Sequence, residues 1–291
     1  MASQRAVNII KSTVARLYPK ELAENAWDNT GLLLECPPQT STITTTPEKI
    51  KVLLAIDLTR AVASEAIDSN VSFIVAYHPF IFRGIKAISL NDPQHLSLVR
   101  LVQAGISVYC PHTAIDAATG GVNDWLADGV SGGPAYESQR TVCTPPGSQN
   151  VEGHEDAGMG RRVELKTPIT FGELVTRVKK HLGLDHVQVA RATSLASDSQ
   201  LISSVALCAG SGASVLRGIK ADVHLTGELG HHELLHLTET GTSAIICGHS
   251  NTERGFLTVL QKQLTDALKQ DYDGPSEVAI SKTDKDPLEF A

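Results

Sequence analysis

Two hydrophobic rhythms alternate along this chain. Short β-rich apolar runs, bounded by Gly, Pro, Asn or Ser, alternate with stretches whose apolar residues fall three and four apart. KVLLAID at 51–57 predicts a strand, 59–69 a helix, and 71–77 a second strand. Pro93 to Ala104 predicts a helix with proline in its first turn, and 106–110 a third strand. Strand, helix, strand, helix, strand implies a parallel sheet with right-handed crossovers. Ahead of it, Val7, Ile10, Val14 and Leu17 share one helical face.

Residues 131–160 change character. Gly, Pro, Ser and Asn dominate SGGPAY, TPPGSQN and EGHEDAGMG, as in a linker or interdomain loop. A second block follows, with strands expected at Arg161–Leu165, Val187–Ala190, Val205–Cys208 and Val223–Leu225. Helices are expected at Phe171–His181 and Glu228–Leu237. Ser243–Cys247 predicts another strand, Thr252–Lys269 a long helix, and Val278–Ser281 a last strand before the DKDP stretch at 284–287.

Three apolar runs end in a histidine: His78, His112 and His249. Open parallel sheets bind ligands just beyond the carboxyl ends of their strands, which is where these imidazoles fall. Asp116 follows His112 by four residues and Glu253 follows His249 by four, a spacing that shares a helix face. Mixed imidazole and carboxylate donors suit Zn, Mn, Fe or Ni more than Ca. A single histidine at a strand end is more often a satisfied polar group than a ligand, so the metal reading rests on their coincidence. Gly210-Ser211-Gly212 fits either an anion cradle or a tight turn. Arg83 and Lys86 fit a phosphate contact or solvated surface. His231 and His232 are adjacent, so on a helix they point apart and do not share one ion.

Composition narrows the classes. The chain has 291 residues, 42% hydrophobic and 20% charged, so a packed core is expected; with aromatics at 4%, Leu, Ile, Val and Ala must fill it. A net charge of −7 without a Lys/Arg stripe argues against a nucleic-acid footprint. Five widely spaced cysteines, with no C-x-x-C, argue against a disulfide framework. No run of about 18 apolar residues predicts a membrane span. Arg5, Lys11, Arg16 and Lys20 precede the first acid, Glu21, which faintly matches a transit segment, but the amphipathic first helix is the stronger reading. The expected compartment is the cytoplasm, with nucleus and mitochondrion as alternatives.

WDNTGLL at 27–33, YHPFIFRGIKAI at 77–88, HTAIDAATGGVNDWLA at 112–127, LTGELGHHE at 225–233 and GHSNTERG at 248–255 together resemble the NIF-three-like family. This is the Ngg-one-interacting-factor-three family, also labelled GTP cyclohydrolase type 2-like. The resemblance spans nearly the whole chain. It implies two interlinked α/β lobes of mostly parallel strand–helix units, with a metal site between the lobes, assembled into a closed ring, commonly a hexamer. The expected lobes are residues 1–132 with about 240–291, and about 133–239. The family ligands fall on His78, Asp116, His249 and Glu253. Where members often carry His-His-Pro, this chain has Tyr77-His78-Pro79, and a neutral phenol of pKa ~10 is a poor ligand. One or two divalent ions are therefore expected, with Zn, Mn, Fe, Ni and Mg undistinguished. Tyr77 and His112 are candidates for supporting the ligands or carrying a proton; no other cofactor is implied. The implied activity is metal-dependent hydrolysis, cyclohydrolase-like, of a small nucleotide-like or phosphorylated substrate. The alternative is a metal-containing interaction or transcription-related regulatory factor without turnover, with a protein partner.

Overall fold

Apolar runs become strands here and three-and-four spacings become helices, with polar caps marking the joins. The computed structural model describes residues 3–37, 47–145, 151–193 and 197–289; part of the TPPGSQN stretch, 146–150, lies outside them. In chain order the elements begin α1 (Gln4–Leu17), β1 (Gly31–Leu34), β2 (Ile50–Ala55), α2 (Arg60–Asp68), β3 (Phe73–Ala76), α3 (Pro93–Ala104) and β4 (Ser107–Cys110). There follow α4 (Thr113–Ala117), α5 (Val122–Ser131), β5 (Glu137–Thr144), β6 (Met159–Thr170), α6 (Phe171–Leu182), β7 (Gln188–Ala190) and β8 (Leu201–Ser211). The chain closes with α7 (Ala213–Leu216), β9 (Val223–Glu228), α8 (His231–Glu239), β10 (Ser243–Ile246), α9 (Asn251–Arg254), α10 (Leu257–Asp271) and β11 (Ser276–Ile280).

Caps explain several boundaries. The Thr59, Asp92 and Thr170 side chains accept first-turn backbone N–H groups of α2, α3 and α6. Pro93 opens α3, and Gly105, at φ +67°, closes it in the left-handed region that glycine tolerates. Gly255, where the backbone passes over Trp125, separates α9 from α10, so the expected continuous helix at 252–269 is two.

The chain forms two units, residues 1–115 with 257–285 and residues 116–256 with 286–291. The first holds a sheet of order β1-β4-β3-β2-β11. β11, β2, β3 and β4 run parallel, and β1 pairs antiparallel with β4. β3 is buried throughout, which is why its sequence is uniformly apolar. Leu53, Ala55, Ile74 and Val108 from the strands pack with Val62, Ala63, Ala66, Leu98 and Leu101 from α2 and α3. The second unit holds a mixed sheet of order β5-β6-β8-β9-β10-β7. β8, β9 and β10 are parallel, whereas β5, β6 and β7 enter antiparallel. The expected linker thus contains a strand, β5, whose polar ESQRTVCT sequence is largely solvated. The strand at 243–246 pairs with β9 and so lies in this second sheet. Both units are α/β. Among the described residues, no helix is long and apolar enough to cross a membrane.

Candidate metal centre

In the first unit, β2 and β3 keep their parallel pairing just past their ends. Tyr77 N–H donates to the Ala55 carbonyl (2.8 Å) and His78 N–H to that of Ile56 (3.0 Å). This register sets Asp57 beside His78, with the carboxylate Oδ1 2.9 Å from the imidazole Nδ1. The DKDP stretch reaches the same place: Ile56 N–H donates to Asp284 Oδ2 (2.7 Å). Sequence placed that stretch at the end of the last strand; its carboxylate holds the end of β2.

His112 is held more tightly. Its N–H donates to the Tyr77 carbonyl (3.1 Å), and its Nδ1 lies 2.7 Å from Asp28 Oδ1. Asp28 Oδ2 also accepts the Thr113 N–H and hydroxyl. The Asp28 side chain is fully buried. Burial alone would raise its carboxyl, but the hydrogen bonds and charge of His112, with those of Thr113, hold it below the usual range. His112 has φ +36°, unusual for a residue with a side chain, so the clamp overrides a backbone cost. The Tyr77, His78 and His112 rings meet edge to face at 5.2–6.0 Å. Trp27 stands 5.9 Å from His112 and 6.1 Å from Phe82.

The second unit carries Asp116, His249 and Glu253. His249 lies just past β10, and its Nδ1 is 2.9 Å from Glu228 Oε1 at the end of β9. Its Nε2 is 3.4 Å from Glu253 Oε1 on α9, confirming that the four-residue spacing brings the two together. Glu253 is 2% exposed and Asp116 9%. A hydrogen-bonded frame fixes their backbones. Asn123 donates to the Asp116 carbonyl (2.9 Å) and accepts the Ala209 N–H (2.9 Å). Gly210 N–H donates to the Thr252 hydroxyl (2.8 Å), which donates to the His249 carbonyl (2.7 Å). Gly227 lets the backbones close in: a Cβ there would stand 2.6 Å from the Gly210 carbonyl and 2.8 Å from His249 Cα.

This frame corrects one reading of the 210–212 turn. Gly210 and Gly212 donate their N–H groups to the Thr252 and Thr226 hydroxyls, so neither is aimed at an anion. The turn instead makes room for His249 and Glu253. Burial pushes the Cys208 thiol well up, with Asp116 and Glu253 among the charges adding to it, and burial takes Cys247 to about 12. Arg83 and Lys86 line a 500 Å³ cavity with Phe82, inside the first unit. His231 and His232 are both exposed at the start of α8. Sequence reasoning missed Asp28, Asp57, Glu228, Asn123 and Thr252. The first three had a signal, since each is a carboxylate in a turn or just past a strand, like the histidines they hold.

Within the second unit, the His249 imidazole held by Glu228, with the buried carboxylate of Glu253 3.4 Å from its Nε2, offers donors that suit a borderline or hard divalent cation. Comparison with known proteins agrees in placing the chain. The Duf34/NIF3 (NGG1p interacting factor 3) family model matches residues 5–287. The chain is 49% identical to "Protein NIF3 homolog" of Schizosaccharomyces pombe over 96% of both chains. It is 45% identical to "NGG1-interacting factor 3" of Saccharomyces cerevisiae, covering 96% of this chain and 95% of that one. The crystal structure of a Bacillus cereus protein related to NIF3 superposes with TM-score 0.79 over 99% of both chains at 19% identity, which shows a shared fold.

Proposed function

The chain belongs to the Duf34/NIF3 (NGG1p interacting factor 3) family, and from that premise we propose that it is a divalent-metal hydrolase of small nucleotide-like or phosphorylated molecules. The donors in this reading are the residues that the family resemblance implies, His78, Asp116, His249 and Glu253. One observation carries it. His78 and His249 each have Nδ1 against a carboxylate, Asp57 and Glu228, at 2.9 Å. Such a partner fixes the tautomer and presents Nε2 to a metal, the arrangement by which metal sites orient their histidines.

A bound divalent ion would lower the pKa of a coordinated water and polarise a substrate oxygen. The chain's own residues supply the rest. Asp57 and Glu228 hold the Nδ1 protons and raise the basicity of the imidazoles. Glu253 and Asp116 bring negative charge where burial makes it costly, which favours a cation beside them. His112, held at Nδ1 by Asp28, keeps Nε2 as the position to take up or release a proton. Tyr77 is 1% exposed, and this reading assigns it a spacing role and leaves one or two ions open. A closed homo-oligomeric ring in the cytoplasm belongs to the same reading.

A second reading has one supporting observation: the Saccharomyces cerevisiae relative is named for interaction with NGG1. Under it, the ion serves assembly or a protein partner. Elemental mass spectrometry of wild type and Glu253→Gln, with oligomer mass and hydrolysis of a nucleotide panel, separates the two. Loss of metal and hydrolysis at unchanged mass supports the hydrolase. Loss of metal together with the oligomer favours the structural ion. Full metal retention in Glu253→Gln and in His249→Ala sinks the ligand assignment.

A further inference from the structure

The crossover helix α8 joins the parallel strands β9 and β10, and such a helix ordinarily packs an apolar stripe down onto its sheet. Here none of its nine residues is buried, although Leu234, Leu235 and Leu237 lie on it. Beside it is a cavity of 830 Å³, within the range of small-molecule sites. Leu216, Ile219, Leu229 and Leu237 line it, and Arg217 and Lys220 reach it from the loop between α7 and β9. This cavity belongs wholly to the second unit and shares no lining residue with the proposed metal ligands.

The charges on its wall are unevenly satisfied. Asp222 accepts the Ser203 and Ser204 N–H groups (2.8 and 2.9 Å), and Glu233 accepts that of Gly230 (2.7 Å). Arg162, also on the wall, is paired with Glu164 at 2.7 Å. Arg217 and Lys220 are exposed and have no ion pair among the described residues. In a chain of net charge −7, both carboxylates of this wall are taken up by backbone N–H groups, and the ionic groups left without a side-chain partner among the described residues are the two cations, which suits an anion with an apolar body. His232 and His236, four apart on α8, add hydrogen-bonding nitrogens on the same wall.

We infer that this cavity is a second ligand site, for a small amphipathic anion whose acidic group meets Arg217 and Lys220 and whose apolar body lies between α7 and α8. Its occupant is not the hydrolase substrate, and its filling replaces the packing that α8 lacks.

The test titrates the full-length, metal-loaded protein with anilinonaphthalene sulfonate, an aromatic amphipathic anion, and with phenylnaphthylamine, its uncharged counterpart. The anion is expected to saturate one site per chain. Arg217→Glu with Lys220→Glu is expected to weaken it at least about tenfold, the effect of 1.4 kcal/mol, and to leave the neutral probe unchanged. Leu237→Trp, which fills the cavity, is expected to abolish binding without lowering Tm. Chelation of the metal is expected to leave the anion's affinity intact. The inference is overturned if both probes bind alike, if charge reversal has no effect, or if no saturable site is found. It is equally overturned if charge reversal changes the oligomer mass, which would mean that a second copy of the chain covers this face.

Discussion

A Cβ added to Gly210 would stand 2.9 Å from Nε2 of His249. It would also stand 2.8 Å from Glu253 Oε1, so the glycine sits against both donor atoms at once. Gly210 has φ +62°, a conformation in which alanine is strained as well. Gly210→Ala is therefore expected to push the imidazole and carboxylate away from the point they share. The backbone part should cost about 1 kcal/mol of stability. Metal affinity should fall at least tenfold, measured by competition with a chromogenic chelator. An alanine variant with wild-type affinity would mean that these two side chains do not share an ion.

Glu228 touches His249 but is not among the proposed ligands, and it is exposed. Its replacement should leave the fold alone. Glu228→Gln keeps the shape and removes the charge that fixes the imidazole. We expect metal affinity to drop about ten- to a hundredfold with Tm essentially unchanged. Asp57→Asn, beside His78, should behave in the same way. If Glu228→Gln instead lowers Tm and spares metal affinity, the contact is merely structural.

The parallel cores were legible because their strands are continuous apolar runs and their helices carry Ser, Thr, Asp, Pro and Gly at the ends. β5 was not, because its exposed face makes ESQRTVCT read as loop, and pairing with β6 outweighs its composition. The break between α9 and α10 was hidden for another reason. A lone glycine sits inside a helix as well as at its end, and what marks Gly255 is its close approach to Trp125, a tertiary fact. At the candidate centre, a strand-end histidine and a four-residue spacing pointed to His249 and Glu253, whose side chains lie 3.4 Å apart. Their supports, Glu228, Asn123 and Thr252, come from other strands and helices, which no local pattern links.

Asp28 is the most buried of the supporting carboxylates, and four donors converge on it, the Asn29 N–H (2.7 Å) among them. Asp28→Ala strands the imidazole of His112 and the N–H and hydroxyl of Thr113 in a nearly dry site. Losing a buried acceptor of this kind costs about 1–3 kcal/mol. His112, at φ +36°, should then relax toward negative φ. The expected outcome is a lower urea midpoint, together with a shifted His112 imidazole resonance. Asn at position 28 keeps one acceptor and should recover part of the stability but not the resonance position. An unchanged resonance in Asp28→Ala would show that Asp28 does not orient His112.

Arg161 is 2% exposed, and its guanidinium grips Asp124 at 2.6 and 2.9 Å while donating to the carbonyls of Gly158, Gly160 and Ala118. Burial would raise the Asp124 carboxyl, but the hydrogen bond and charge of Arg161 hold it below its ordinary value of 3.8. A carboxyl lowered in the folded state contributes its full stability above that ordinary value and loses it as pH falls through the lower folded one. Asp124→Asn leaves a buried guanidinium without its counter-charge, and breaking such a pair costs about 3–5 kcal/mol at neutral pH. Near pH 7, urea unfolding should therefore separate wild type from variant widely. As pH drops below 3.8 the two curves should converge, because protonated Asp124 is as neutral as the asparagine. A gap that stays constant from pH 7 down to about 2.5 would place the loss in packing rather than charge, since only the ionised carboxylate titrates away.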